Sequence, residues 1–119
     1  MADREELLRL AERCEKASGS DRELDDAIRN TAGVHPRFVY ARYYTASLDA
    51  AMTLVPEGYG RRMGGSAAGE QWAEVIGGQP ARTSYGAAIT LPLALTAAVL
   101  RARSQSHTVE QDTQEVVNG

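Results

Sequence analysis

The spacing of apolar residues predicts two amphipathic helices at the start of the chain. In residues 2–17, apolar side chains recur every three or four positions, which is typical of a helix with one buried stripe. Ser18-Gly19 ends that helix, and Ser20 followed by Glu23 matches a capping box that begins a second one. The N-terminal part is therefore predicted to be a helical hairpin. Its apolar positions are Leu7, Leu10, Ala11, Cys14, Ala17, Leu24, Ala27 and Ile28.

The middle of the chain changes to a strand-like pattern. Residues 37–44 are aromatic and β-branched and form a first strand candidate. A short helix follows, with Thr45 or Ser47 as its N-cap and Pro56 at its end. Residues 59–63, 70–76 and 81–87 then predict three short strands, the first two joined by a long, loose Gly/Ser/Ala loop.

A mostly apolar segment near the C-terminus predicts a closing helix. Thr90 caps it, Pro92 lies in its first turn, where a missing N–H is harmless, and it is expected to end near Arg103. Residues 1–103 are predicted to form a single domain, followed by a polar, acidic and disordered tail at residues 104–119. The expected fold class is α+β: a small antiparallel β-meander packed with helices in an α-β-α sandwich-like arrangement, with the helical hairpin before it and the closing helix after it.

The predicted sheet leads to an expectation about oligomeric state, and the composition leads to one about where in the cell the protein is located. Helices on a three-stranded sheet bury one of its faces, so the other face needs a second helix layer or a partner subunit, and a homo-oligomer is expected. The 119 residues leave no room for two full domains. Cys14 is the one cysteine, no apolar run is long enough to span a membrane, and the N-terminus lacks the apolar segment of a signal peptide. A cytoplasmic protein without a membrane partner is expected.

Charge is distributed unevenly along the chain. The net charge is −3, but residues 31–103 hold seven basic and four acidic side chains and are therefore positive. All but one of the 13 basic residues are arginines, whose planar guanidinium groups suit bidentate contacts with phosphate or carboxylate. The sequence pI of about 5.4 and the lack of a continuous basic stripe disfavour nucleic-acid binding.

The residues needed for catalysis are scarce. The two histidines are not spaced as metal ligands, so neither a metal site nor a cofactor is expected, and no nucleophile–base arrangement is evident. Cys14 lies on the apolar stripe of the first helix and is interpreted as a buried core residue. The adjacent carboxylates at Asp25-Asp26 are interpreted as solvated helix faces. An enzyme is therefore the least favoured class.

Two features favour binding of an anionic or aromatic ligand. The glycine-rich stretch 58–65 contains Arg61 and Arg62, and its backbone N–H groups could cradle an anion; the alternative is a flexible hairpin with exposed arginines. Tyr59, Trp72 and Tyr85 fall on successive strand candidates and predict one aromatic cluster. That cluster either fills a core or an interface, or offers a platform for a flat base. Arg82 adds positive charge beside Tyr85.

Three segments resemble the phage ABA-sandwich domain family. They are residues 44–58, which run from Tyr44-Thr-Ala-Ser-Leu-Asp to Pro-Glu-Gly58, the Trp72 region, and the closing segment Thr90-Leu-Pro-Leu-Ala-Leu-Thr-Ala-Ala-Val-Leu-Arg-Ala-Arg103. Some members or near relatives of that family sequester the cyclic ADP-ribose isomer of the bacterial Thoeris immune system, and some also hold cyclic nucleotides, without degrading them.

The resemblance implies a phage or prophage anti-defence sponge that acts in the bacterial host's cytoplasm. It implies ligand pockets at subunit interfaces, lined by arginines and an aromatic residue, and it places the family's late basic position on Arg101. A second basic position of some relatives falls on Ala97. The rival hypothesis is a phage accessory or structural domain that acts through oligomerisation or a protein partner. The predicted ligand-binding residues are Arg61, Arg62, Arg82, Tyr85 and Arg101.

Overall fold

A computed structural model describes residues 4–32 and 43–118 and shows an α+β fold. The elements, in chain order, are α1 (Arg4–Lys16), α2 (Arg22–Ala32), α3 (Leu48–Met52), β1 (Gly60–Gly65), β2 (Gln71–Gly77), β3 (Arg82–Ala88) and α4 (Leu91–Asn118). The predicted helical hairpin, antiparallel meander and closing helix are confirmed. Most of the strand candidate at residues 37–44 lies outside the described residues.

The three strands form one antiparallel sheet in the order β1-β2-β3. In its register, Glu74 of β2 pairs with Arg62 of β1 on one side and with Tyr85 of β3 on the other. The β1–β2 connection is shorter and tighter than the loose loop predicted. Ser66 N donates to Glu70 O at 2.8 Å, Gly69 N donates to Ser66 O at 3.0 Å, and Gly69 supplies a φ of 94° that favours glycine.

Helix α4 is the centre of the core. Every residue from Leu93 to Leu100 is buried, because α1 packs against one side of this helix and the sheet against another. The sheet comes close at Gly86, where a Cβ would lie 2.7 Å from Ala98 N and closer still to Ala94 O. Glycine at this point lets the backbone of β3 touch that of α4. Cys14 of α1 is buried in this core as predicted, and its burial raises the pKa of the thiol to about 12.

The starts of the helices are capped by side chains. Ser47 Oγ accepts from Ala50 N at 3.3 Å and begins α3, which selects Ser47 from the two predicted caps. Thr90 Oγ1 accepts from Leu93 N at 3.4 Å in α4, as predicted. In α2 the cap is Asp21 rather than Ser20, since the Asp21 carboxylate accepts from Leu24 N at 3.2 Å. The reason is tertiary: Asp21 N donates to Thr45 Oγ1 at 2.8 Å, which fixes the chain one residue later than the capping box suggests.

Asp25 corrects the interpretation of the Asp25-Asp26 pair as solvated. Asp25 is only 1% exposed, and its carboxylate accepts from Thr45 N at 2.9 Å and from Arg22 at 3.2 Å. Thr96 Oγ1 donates to Tyr44 O at 3.3 Å from the other side. The turn at Tyr44 and Thr45 is therefore held between α2 and α4 by hydrogen bonds to buried groups.

The C-terminal helix is longer than predicted. It continues to Asn118 instead of ending near Arg103, so the backbone of residues 104–118 is helical where a disordered tail was expected. The physical reason is local. After Pro92, no glycine or proline interrupts the chain before Gly119, so a helix already formed in the core can propagate.

Candidate functional site

The two faces of the sheet have opposite environments. On the face towards α4, the side-chain positions of the central and last strands are buried: Ala73, Val75, Ser84, Gly86 and Ala88. On the opposite face, which we call the outer face, no position is buried, so no helix within residues 4–32 and 43–118 covers it. Within the part of the chain that the structure describes, one side of the sheet is thus left uncovered. The outer face consists of Gly60, Arg62, Gly64, Trp72, Glu74, Ile76, Thr83, Tyr85 and Ala87.

The aromatic cluster predicted from the sequence is divided between the two faces. Trp72 and Tyr85 lie on the outer face, and Tyr85 is 51% exposed. Tyr59 packs against the core on the helix side, with its ring over Gly77. It precedes Gly60 by one residue, and successive residues of a strand point to opposite faces. The prediction that all three rings share a cluster is therefore wrong for Tyr59.

The indole of Trp72 lies flat across the neighbouring strand. A Cβ placed on its cross-strand partner Gly64 would be 2.8 Å from Trp72 Cζ2 and 2.9 Å from Nε1. The absence of a side chain at Gly64 is what allows the ring to occupy that position. The result is a flat aromatic surface on the outer face.

Beside this ring, Arg62, Glu74 and Tyr85 form one row across the three strands. Arg62 and Tyr85 are exposed and Glu74 is partly exposed. Within the described part of the chain, neither Arg62 nor Glu74 has an ion-pair partner within 4.0 Å. The row therefore presents a guanidinium group, a carboxylate and an aromatic ring to the solvent.

The other predicted binding residues lie elsewhere. Arg61 and Arg82 are exposed, but both alternate with outer-face residues and belong to the helix side of the sheet. Of the five residues predicted, only Arg62 and Tyr85 lie together on the outer face.

Arg101 is held by contacts within the chain. Its Nη2 is 2.6 Å from Glu15 Oε1, and its Nη1 is 2.7 Å from Glu15 Oε2 and 2.7 Å from Tyr85 O. The same carboxylate accepts from Ala87 N at 3.1 Å. Glu15 and Arg101 therefore hold the free edge of β3, and we call this arrangement the edge clamp.

The electrostatics of the edge clamp follow from its hydrogen bonds. The Arg101 guanidinium holds the pKa of the Glu15 carboxyl below its usual value, and Glu15 raises the pKa of Arg101 in turn. Glu15 neutralises the charge that Arg101 was predicted to offer to a ligand. Sequence inspection missed Glu15, because it lies 86 positions from Arg101 and no local motif connects them.

Arg103 also has a structural contact. Its Nε donates to Leu54 O at 2.9 Å, and burial of the guanidinium lowers its pKa. This bond ties α4 to the segment that follows α3. Neither of the two arginines late in α4 is therefore left with all of its donors available to a ligand.

Comparisons with known proteins do not extend this description. No protein-family model, curated protein or solved structure matches the chain. The resemblance to the phage ABA-sandwich domain family remains a prediction from its motifs. Across the described ranges, no three histidine, cysteine, aspartate or glutamate side chains are grouped as metal ligands. Nor is any helix in those ranges both apolar enough and long enough to cross a membrane.

Proposed function

We propose that the protein is a non-enzymatic binding protein that sequesters a nucleotide-derived anionic messenger on the outer face of its sheet. The class of ligand, a cyclic ADP-ribose isomer or a cyclic oligonucleotide, comes from the resemblance to phage anti-defence sponges of the bacterial cytoplasm. The observation that carries the proposal is the placement of Trp72, Tyr85 and Arg62 on one face that no described helix covers.

The chemistry of these side chains suits such a ligand. A base stacked on an exposed aromatic ring contributes about 1–3 kcal/mol. The guanidinium of Arg62 can donate two hydrogen bonds to one phosphate group, and no ion pair within the described residues competes for it. Binding of this kind requires neither a general base nor a nucleophile, so a ligand would be held without being degraded.

Glu74 and the flatness of the outer face both limit how tightly a single subunit can bind an anion there. The Glu74 carboxylate lies between Arg62 and Tyr85 in the row and repels an anion bound there. A flat face also leaves one side of a bound ligand in water, whereas a nanomolar dissociation constant requires about −12 kcal/mol. A tight site therefore needs a second subunit to enclose the ligand, which is why we propose that the sponge is a homo-oligomer.

The test is isothermal titration of the purified protein with a panel of cyclic ADP-ribose isomers and cyclic di- and trinucleotides. We expect nanomolar binding of one member, and recovery of that compound intact after heat denaturation. Arg62→Ala should weaken binding at least tenfold, whereas Arg13→Ala on α1 removes the same charge from a different surface and should not. No heat with any panel member, or recovery of a cleaved product, contradicts the proposal.

A second candidate function uses the same face. Trp72 and Ile76 are large apolar side chains on a surface that no described helix covers, which favours a protein contact. In this case the protein is a phage accessory or structural domain that acts by oligomerisation or by binding a protein partner. If no panel compound gives heat on titration, and if Trp72→Ala disrupts an assembly that the wild type forms, the second function is favoured over the first.

A further inference from the structure

The two edges of the sheet differ in how their backbone groups are satisfied. In β3, the edge clamp satisfies two backbone groups: Arg101 donates to the C=O of Tyr85, and Glu15 accepts from the N–H of Ala87. In β1, the Ser66 N to Glu70 O bond shows which residues face β2, since bonding alternates along an antiparallel pair. Arg61, Met63 and Gly65 therefore direct their backbone N–H and C=O groups away from the sheet.

Within residues 4–32 and 43–118, no group hydrogen-bonds to this edge, because β2 is the only strand that pairs with β1. Proteins usually protect such an edge with proline, charged side chains, a bulge or a covering element. The six residues of β1 contain no proline, their pairing with β2 is continuous, without a bulge, and their charged side chains are Arg61 and Arg62. Among the described residues this edge is therefore uncovered, and it can pair with a strand that places small residues opposite the arginines.

We infer that β1 pairs antiparallel with β1 of a second copy of this chain, about a two-fold axis at Met63. A two-fold axis makes the contact self-complementary, so the dimer closes and does not propagate into fibres. The two three-stranded sheets then join into one continuous sheet. The inference concerns assembly and does not depend on which ligand is bound.

The positions of the arginines select this register. Centred on Met63, the pairing places Arg61 opposite Gly65 of the second copy and Arg62 opposite Gly64. Centred on Arg62 or on Arg61, it places identical arginines directly opposite each other, which is destabilising. Centred on Gly64, it leaves Arg61 outside the strand overlap. Only the axis at Met63 uses every outward-directed residue of β1 and avoids arginine facing arginine.

This pairing also brings the outer faces together. Gly64 of the second copy is the residue that the indole of its own Trp72 covers, so Arg62 lies beside that indole and its guanidinium can stack over the face of the ring in a cation–π contact. The two Arg62 residues lie diagonally across the axis, with Cα atoms about 7–8 Å apart. If the proposed function is correct, this pair of guanidinium groups is where a phosphate-bearing ligand would bind to both subunits.

The first test is sedimentation velocity of the full chain. We expect a dimer for the wild type. Gly65→Pro removes an outward-directed N–H, and thereby two hydrogen bonds from each dimer, so it should raise the dissociation constant at least tenfold. Gly65→Ala is the matched control, since its Cβ meets the same Gln71 side chain but the N–H stays. Thr83→Pro removes the corresponding N–H from β3 and should leave the dimer intact.

A cross-linking test reports the register. At a hydrogen-bonded antiparallel pair the Cα atoms are about 5.5 Å apart, within the range that a disulfide spans. Met63→Cys should therefore give a covalent dimer on mild oxidation. Arg62→Cys should not, since its Cα separation of about 7–8 Å is too large. Cys14 is buried and does not compete.

The outcomes separate this inference from the proposed function. A monomeric wild type, a dimer indifferent to Gly65→Pro, or cross-linking through Arg62→Cys instead of Met63→Cys would overturn the inference. A dimer with the expected responses that binds no panel compound would support the inference and contradict the sponge. Tight binding of a panel compound by a monomeric wild type would overturn the inference and the homo-oligomeric site, while supporting sequestration of the ligand.

Discussion

The two faces of the sheet show how one strand sequence serves two purposes. Towards α4, β3 presents the small residues Ser84, Gly86 and Ala88, all buried. Away from α4, the same strand presents Thr83 and Tyr85, both exposed. The buried side chains of β3 on the helix side are small, so its backbone touches that of α4. Its outer side carries a large aromatic ring that no described element covers. Large exposed side chains on a face that no described element covers are typical of a binding surface and add little to the stability of the fold.

The largest difference between the faces should appear with alanine at two glycines. Gly86→Ala places a Cβ against backbone atoms of α4 that cannot move independently, and we expect it to destabilise the protein by about 3 kcal/mol. Gly64→Ala on the outer face meets only the side chain of Trp72, which can rotate away, and should cost about 1 kcal/mol. Urea denaturation measures both. Equal losses would show that the two faces are packed alike.

The edge clamp should give a smaller, pH-dependent effect. Glu15→Gln removes an ion pair that is partly shielded from water, and we expect a loss of about 1–2 kcal/mol at pH 7. Because the folded-state pKa of Glu15 is lowered from 4.5, its contribution is present above that value and is lost as pH falls through the folded pKa. The stabilities of wild type and variant should therefore converge in acid.

Thermal denaturation from pH 7 to pH 3 checks this convergence. Glu5→Gln, on the exposed start of the same helix, is the control and should change stability little at any pH. A difference between wild type and Glu15→Gln that stays constant down to pH 3 would contradict the role assigned to the carboxylate.

A stabilising change is expected on the helix side. Ser84 is 3% exposed, and its Oγ has no hydrogen-bond partner among the described residues. Replacing such a hydroxyl by hydrogen removes an unsatisfied polar group, so Ser84→Ala should raise the free energy of unfolding by about 0.5–1 kcal/mol. Thr83→Ala, on the exposed face of the same strand, should give no comparable gain. A destabilised Ser84→Ala protein would mean that the hydroxyl is satisfied.

The smallest effect concerns ligand affinity on the outer face. Glu74→Gln removes the negative charge between Arg62 and Tyr85, and should tighten binding of an anionic ligand by a few fold at low salt. Glu70→Gln lies at the hairpin turn and serves as the control. Isothermal titration at two salt concentrations measures the change. Weaker binding by Glu74→Gln would show that this carboxylate contacts the ligand directly.

Local patterns were sufficient for most elements. Apolar periodicity, the Ser47 and Thr90 caps and the glycine-bounded strands predicted the α+β order, and Cys14 lies in the core as its stripe indicated. These features depend on neighbours within a few residues. The residues of the outer face follow only when the register of the strands is known, because strand alternation places Arg62 and Arg61 on opposite faces.

Tertiary partners account for what sequence inspection missed. Helical spacing predicts that Asp25 is solvated, because it does not show that Thr45 N donates a hydrogen bond to the Asp25 carboxylate. The sequence predicts Arg101 as a ligand-binding residue, and nothing local to it indicates its ion pair with Glu15. In both cases the partner is more than 15 residues away, and the satisfaction of a buried or partly buried charge is a property of the folded chain.

The most direct test of the outer face as the binding surface uses Trp72, the one tryptophan in the sequence. Its fluorescence is recorded while the panel of cyclic ADP-ribose isomers and cyclic oligonucleotides is titrated into the wild-type protein. We predict a saturable change with the same dissociation constant as the calorimetric titration, and its loss in Tyr85→Ala and Arg62→Ala. Calorimetric binding that leaves the Trp72 emission unchanged, or that survives both substitutions, would place the ligand elsewhere and contradict this assignment.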